Sequence, residues 1–169
     1  MPTPVHSSSI AVDVAHAAIC ISNSMDTRSP EQRSYIMRCV RSRDTGPELT
    51  VRSLLHRMGF RYALHRKDLP GRPDIVLPKH SAVIFVHGCF WHGHRCAKGR
   101  LPKSRLDFWG PKIRRNKIRD AESLKDLKKA GWRVLTVWQC QTKDKARLHD
   151  NLAHFLSVRR KKTRRRTAS

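Results

Sequence analysis

Apolar positions recur along the chain in runs whose period shifts between about 3.6 and 2 residues, and these shifts mark the expected elements. Ser29-Pro30-Glu31-Gln32 offers a capping serine, a proline at the first helical position and a glutamine that completes a capping box, predicting a helix to about Arg41. Thr45-Gly46-Pro47-Glu48 repeats that start signal. Leu49, Leu54, Leu55 and Met58 supply the apolar side of this second helix, and Gly59 ends it. Phe60-Arg61-Tyr62-Ala63-Leu64 alternates like a half-buried strand, and Leu69-Pro70-Gly71-Arg72-Pro73 reads as a turn. Asp74-Ile75-Val76-Leu77 and Ala82-Val83-Ile84-Phe85-Val86 predict a hairpin around Pro78-Lys79-His80, its second strand apolar enough for burial on both faces. His87 to about Lys103 is loop, and Phe108 to about Ala130 is a long charged helix with Ile113, Ile118, Leu124 and Leu127 available for burial before Gly131 closes it. Trp132 to Trp138 is a further strand, and Lys145 to Val158 a last helix. The expected fold class is α/β, a mixed sheet flanked by helices.

Charge adds a partner to this picture. Lysine and arginine number 36 against 13 acidic residues, a net charge of +23 in 169 residues, which calls for a polyanion such as DNA. On charge alone a ribosomal or chromatin-packing protein fits as well as an enzyme does. No run reaches the roughly 18 apolar residues of a membrane span, so no membrane partner is expected. Residues 1–24, rich in Ser, Ala and His, lack the apolar stretch of ~7–15 residues that a secretory signal needs. They are expected to form a disordered leader, with Met25 a candidate start, and residues 159–169, mostly Arg and Lys, a disordered basic tail. Between them lies one domain, residues 25–158, expected to be monomeric and cytoplasmic.

Two places carry chemistry. Cys89-Phe90-Trp91-His92-Gly93-His94-Arg95-Cys96 sets two thiols and two imidazoles within eight residues, and Cys140, at the end of the Trp132 strand, is a natural further ligand for a tetrahedral zinc. With three cysteines bound, only one of His92 and His94 is needed, and spacing does not choose between them. Asp74 follows the rigid Pro70-Gly71-Arg72-Pro73 turn and opens a strand, where its carboxylate could meet both Mg²⁺ and a phosphate. Pro-Asp before a hairpin is the first half of a metal motif that usually ends in Asp or Glu, any residue, and Lys; here that place reads Phe85-Val86-His87.

Met37-Arg38, Arg43-Asp44-Thr45-Gly46-Pro47-Glu48, Leu69-Pro70-Gly71-Arg72-Pro73-Asp74, Val86-His87-Gly88-Cys89-Phe90-Trp91-His92-Gly93-His94 and Gly131-Trp132-Arg133-Val134 together resemble the very-short-patch mismatch-repair endonucleases of bacteria, from about Met25 to Phe155. The resemblance implies a restriction-endonuclease-like fold of the PD-(D/E)xK type in which Phe-x-His replaces the second half of the metal motif. It implies that Asp74 binds Mg²⁺ together with the Val86 main-chain carbonyl, and that His92 activates water with Glu48, His87 and Asp120 as its polar neighbours. It assigns Cys89, His94, Cys96 and Cys140 to a structural Zn²⁺. For DNA it implies Phe90, Trp91 and Trp109 entering the stack from one side and Met37 from the other, with Lys112 and Asn116 as base-edge candidates. The implied reaction is a nick 5′ of the thymine in a T·G mismatch left by deamination of 5-methylcytosine, with other mismatch-repair proteins as further partners. A zinc-stabilised DNA-binding module without catalysis, or a related nicking or restriction nuclease with another target, would share much of this composition.

Overall fold

The computed structural model describes residues 29, 31, 32, 35, 43–103 and 105–157. The chain divides into two units, Met1–Cys39 and Val40–Ser169. In the first, the capping box forms as its local chemistry dictates: the Ser29 N–H donates to Gln32 Oε1 at 3.0 Å, and the Gln32 N–H donates to Ser29 Oγ at 3.3 Å. Met37, the leader and the basic tail lie outside the described residues.

The second unit is organised by strand alternation. Strands β1 (Ala63–Leu64), β2 (Ile75–Leu77), β3 (Ala82–His87) and β4 (Arg133–Trp138) form one sheet in the order β1-β2-β3-β4. The first two pairings are antiparallel and the β3–β4 pairing is parallel, so the sheet is mixed. Helix α1 (Gly46–Arg57) precedes the sheet, α2 (Leu106–Lys129) connects β3 to β4, and α3 (Lys145–Ser157) follows. Successive strand residues point to opposite faces. Ile75, Leu77, Ala82, Ile84 and Val137 therefore bury one face against Val51, Leu54 and Leu55 of α1 and Leu148, Leu152 and Leu156 of α3. Val76, Val83 and Phe85 bury the other against Leu127 of α2. That sandwiching explains why β3 is apolar at nearly every position.

Local signals hold at the element ends. Thr45 caps α1 by accepting from the Glu48 N–H at 3.4 Å, and Gly59 (φ 81°) and Gly131 (φ 87°) follow α1 and α2 as expected. Three expectations need correction. Leu49 is 49 % exposed and Ile118 53 % exposed, so neither reaches the core; Val51 takes the buried place on α1. The Phe60–Leu64 strand shrinks to Ala63–Leu64, because Phe60 and Tyr62 pack against the α1/α3 core instead of continuing the ladder. Helix α2 starts at Leu106, two residues ahead of Phe108, after Arg105 in a left-handed conformation. Among the described residues no helix is long and apolar enough to cross a membrane.

The corrected face of α1 can be checked by urea unfolding. Leu55→Ala, which empties a fully buried site, should cost about 2–5 kcal/mol. Leu49→Ala should change stability by no more than about 0.5 kcal/mol.

Candidate active site and zinc-type cluster

Asp74 sits one residue before β2, on the face that α2 covers, and its Oδ2 accepts a hydrogen bond from the Val86 N–H at 2.7 Å. In an antiparallel pair a residue's N–H and C=O face the same neighbour, so the Val86 carbonyl also opens toward Asp74. Burial raises the Asp74 carboxyl above its ordinary range, helped by the negative charge of Glu48, while the Val86 bond and the His65 and His92 charges act the other way. A half-buried carboxylate beside a main-chain carbonyl is a hard-oxygen pair of the kind that suits Mg²⁺.

Beyond β3 the chain folds tightly on itself: the His92 N–H donates to the Gly88 carbonyl at 3.2 Å and the His94 N–H to the Cys89 carbonyl at 2.9 Å. This loop turns its two histidines to different tasks. His92 Nδ1 lies 2.5 Å from Asp120 Oδ2 on α2, and its ring stacks on His87 with centroids 3.8 Å apart. Burial opposes ionisation of Asp120, but the His92 hydrogen bond and the His92, His87 and Arg119 charges outweigh it and hold the carboxyl below its usual range. An ionised Asp120 fixes Nδ1 as the protonated nitrogen and leaves Nε2 for chemistry. His87 is pulled down to about 4 by burial and by the charge of His92, so it stacks as a neutral ring. Asp74, Val86, His87, His92 and Asp120 line a single cleft of 490 Å³.

His94 turns to the thiols. Donor atoms of Cys89, His94, Cys96 and Cys140 all lie within 4.8 Å of one another, with Cys140 Sγ 3.5 Å from His94 Nδ1. A tetrahedral zinc with bonds near ~2.3 Å sets its ligands ~3.8 Å apart, so three sulfurs and one nitrogen at this spacing fit the ion. The hydrogen bond with His94 draws the Cys96 thiol down to about 6, whereas burial pushes Cys89 up to about 12. His94 also stacks on Trp138, centroids 4.3 Å apart.

Phe90, Trp91 and Trp109 meet edge to face, with centroids 5.0–5.9 Å apart. Lys112 Nζ lies 5.7 Å from the Trp91 ring and 5.5 Å from Trp109. Asn116 Nδ2 donates to the Trp91 carbonyl at 2.9 Å, and its Oδ1 accepts from Arg119 at 3.3 Å. One bond at each end leaves the amide one donor and one lone pair. Of the three polar neighbours expected for His92, His87 stacks on it and Asp120 bonds it, whereas Glu48, 2 % exposed, meets Arg52 and His65 instead.

The family described as DNA mismatch endonuclease Vsr matches residues 25–98. A type II nicking enzyme, V.XorIIP of Xanthomonas oryzae pv. oryzae, is 56 % identical over 131 residues, 78 % of this chain and 96 % of that one. The DNA mismatch endonuclease Vsr of Escherichia coli (strain K12) is 41 % identical over 125 residues, 74 % of this chain and 80 % of that one. The chain belongs to the Vsr family of DNA mismatch endonucleases. Among solved structures, the catalytic domain of the homing endonuclease I-Bth0305I gives a TM-score of 0.46 at 21 % identity, covering 66 % of this chain and 94 % of that one.

Two contributors to the site escape a reading of the Vsr-family motifs. Phe108, 43 % exposed, extends the aromatic cluster with its ring 5.0 Å from Trp109; the Arg105-to-Trp109 mixture of aromatic and basic residues was its available signal. Gly99 has no sequence signal. A Cβ there would stand 1.9 Å from the His94 carbonyl oxygen. Gly99→Ala must therefore displace the backbone carrying His94, and thermal melting should show a loss of about 1–3 kcal/mol, typical of overpacking.

Proposed function

We propose that this protein nicks one strand of duplex DNA 5′ of the thymine in a T·G mismatch, the lesion left by deamination of 5-methylcytosine, and so starts a short-patch repair. The observation that carries the reading is the cleft in which the Asp74 carboxylate, the Val86 main chain and the His92–Asp120 pair converge. A DNA-binding module has no need of an imidazole oriented by a carboxylate opposite a second, half-buried carboxylate. We read the fold as a restriction-endonuclease-like variant in which Phe85-Val86-His87 stands in place of the usual acidic residue and lysine.

In this reading Asp74 and the Val86 carbonyl would hold a Mg²⁺, which when bound would supply Lewis-acid stabilisation of developing negative charge on the phosphate and the 3′ oxygen. His92 Nε2 takes the proton of the attacking water, Asp120 keeps the ring in the necessary tautomer, and His87 supports it by stacking. Cys89, His94, Cys96 and Cys140 would hold a structural Zn²⁺ that ties the loop after β3 to the end of β4. Phe90, Trp91 and Trp109 form the wedge that enters the base stack, with Met37 assigned to the opposite side. Lys112 and Asn116 face the mismatch, Asn116 with the donor and lone pair it has left. The nuclease domain is assigned to residues 25–158, acting as a monomer in the cytoplasm with other mismatch-repair proteins downstream, and the tail at 159–169 adds sequence-independent affinity. The nicking-enzyme names among the relatives favour a second reading of the target alone: the same chemistry in a different flanking sequence.

Nicking of a panel of mismatched duplexes, with and without Mg²⁺, tests the assignment: strand cleavage should require both the metal and the T·G pair. Asp74→Ala should lower nicking by ~100-fold or more while duplex binding and melting temperature persist. Cys96→Ala should lose zinc by elemental analysis and melt at lower temperature, since metal binding and folding are linked. Full activity in the first, or retained zinc in the second, contradicts the division of labour between the two sites.

Trp91→Ala separates a wedge from a core residue. Base stacking on an aromatic ring contributes about 1–3 kcal/mol, so mismatch binding should weaken by that amount and binding to paired DNA by less. Stability should fall only by the lost edge-to-face contacts, about 1 kcal/mol. A drop of about 3–5 kcal/mol in stability with unchanged mismatch preference would place Trp91 in the core instead.

A further inference from the structure

Glu48 is the most deeply buried charged side chain described, and its partners lie outside the residues assigned above. Its Oε1 receives the Arg52 Nη2 donor one helical turn along α1, and His65 Nε2 stands 3.2 Å from the same oxygen and 3.1 Å from Arg52 Nη2. The second arm of the guanidinium, Nη1, donates to Asp44 Oδ1 at 2.6 Å. Arg52 Nε is shielded from solvent and has no hydrogen-bond partner, so the Asp44 and Glu48 carboxylates, with His65 Nε2 beside them, set how the guanidinium is turned. His65 closes the arrangement from the sheet side. It follows β1 in a left-handed conformation (φ 47°), and its backbone N–H donates to the Asp74 carbonyl at 3.3 Å. One residue thus touches both the Glu48 carboxylate and the chain that carries Asp74.

We propose that Arg52 and His65 are positioning residues of the nicking centre, holding the Glu48 carboxylate in one orientation next to the Asp74 strand; this rests on the nicking assignment above. The two do different work. Arg52 neutralises Glu48 with one arm of its guanidinium and, by bonding Asp44 with the other, prevents rotation about the end of the side chain. His65 couples that orientation to the backbone at Asp74, so a shift on either side is felt on the other. The charge of Glu48 reaches Asp74, which is the route by which a misplaced Glu48 would disturb the metal-binding carboxylate. Asp44, Glu48 and His65 have the spacing of a metal site, and Arg52 stands among them as a built-in cation.

The test compares the full-length wild-type chain with R52Q, R52K, H65A, H65Q, E48Q and the double variant E48Q/R52Q. Single-turnover nicking of a T·G duplex is measured across a Mg²⁺ titration, beside duplex binding without divalent metal and thermal melting. Residues that support a metal site through its ligands typically change activity or metal affinity about 10–100-fold. R52Q and H65A should show a loss of that size in rate, in Mg²⁺ half-saturation, or in both, with duplex binding within about twofold of wild type. R52K, which keeps the charge but not the fork, should recover part of the loss. H65Q should recover more than H65A, because an amide offers both a donor and an acceptor at that reach. In the E48Q background, removing Arg52 should add nothing, since it acts through Glu48. Wild-type rates in folded R52Q or H65A, or a loss that multiplies fully onto E48Q, would overturn the proposal. If R52Q fails to fold because Glu48 is left buried and unpaired, the H65A and H65Q pair decides the matter. A wild-type chain that nicks no mismatched duplex would overturn the nicking assignment itself, a result distinct from selective failure of the variants.

Discussion

The parallel pairing of β3 with β4 is the constraint from which both candidate metal sites follow. Its register sets His87 opposite Trp138, so the chain leaves both strands at the same end of the sheet. The loop after β3 carries Cys89, His92, His94 and Cys96; the turn after β4 carries Cys140. Joining two parallel strands requires a crossover, and here α2 supplies it, lying over the face that bears His87 and Asp74. Asp120 reaches His92 because that helix crosses over this face of the sheet. A single register shift in this pair would separate Cys140 from the other three donors and move His87 to the opposite face of the sheet.

The same loop reaches two side-chain clusters by alternating its histidines. His92 turns toward α2 and Asp120, while His94 turns toward the thiols and Trp138. Between and beside them, Phe90 and Trp91 reach Trp109 near the start of α2, so the aromatic cluster and the acid–base pair are held by one helix. This arrangement gives the proposed zinc a mechanical role. Fixing the thiols fixes the loop, and the loop carries both the proposed general base His92 and the proposed wedge of Phe90 and Trp91, so in that proposal recognition and cleavage share one support.

How much of this was legible in the chain depends on how far apart the interacting residues lie. The caps at Ser29 and Thr45, the hairpin from Asp74 to Val86 and the ends of α1 at Gly59 and α2 at Gly131 are local matters of dihedral preference and hydrogen bonding, and they appear where the residues call for them. The motif residues of the Vsr family likewise marked the cleft and the thiol cluster. Periodicity failed at Leu49 and Ile118, because an apolar residue on a helix flank can face solvent when nothing packs over it. It also overextended the first strand, where Phe60 and Tyr62 found better burial against the core than a ladder could offer.

The chain by itself determined the order and type of elements, the polyanionic partner and the identity of the groups able to bind metal, since each depends on composition or on neighbours a few residues away. Spacing left His92 and His94 equivalent and the family resemblance divided them; the tertiary structure supplies the contacts, His94 with the thiols and His92 with Asp120, and it alone decided that Glu48 is buried against Arg52 and His65 and that Gly99 must leave room for His94. Those outcomes come from contacts between segments up to 46 residues apart, such as His94 with Cys140. A sheet register and a crossing helix set such distances, and neither is encoded in any one stretch of sequence.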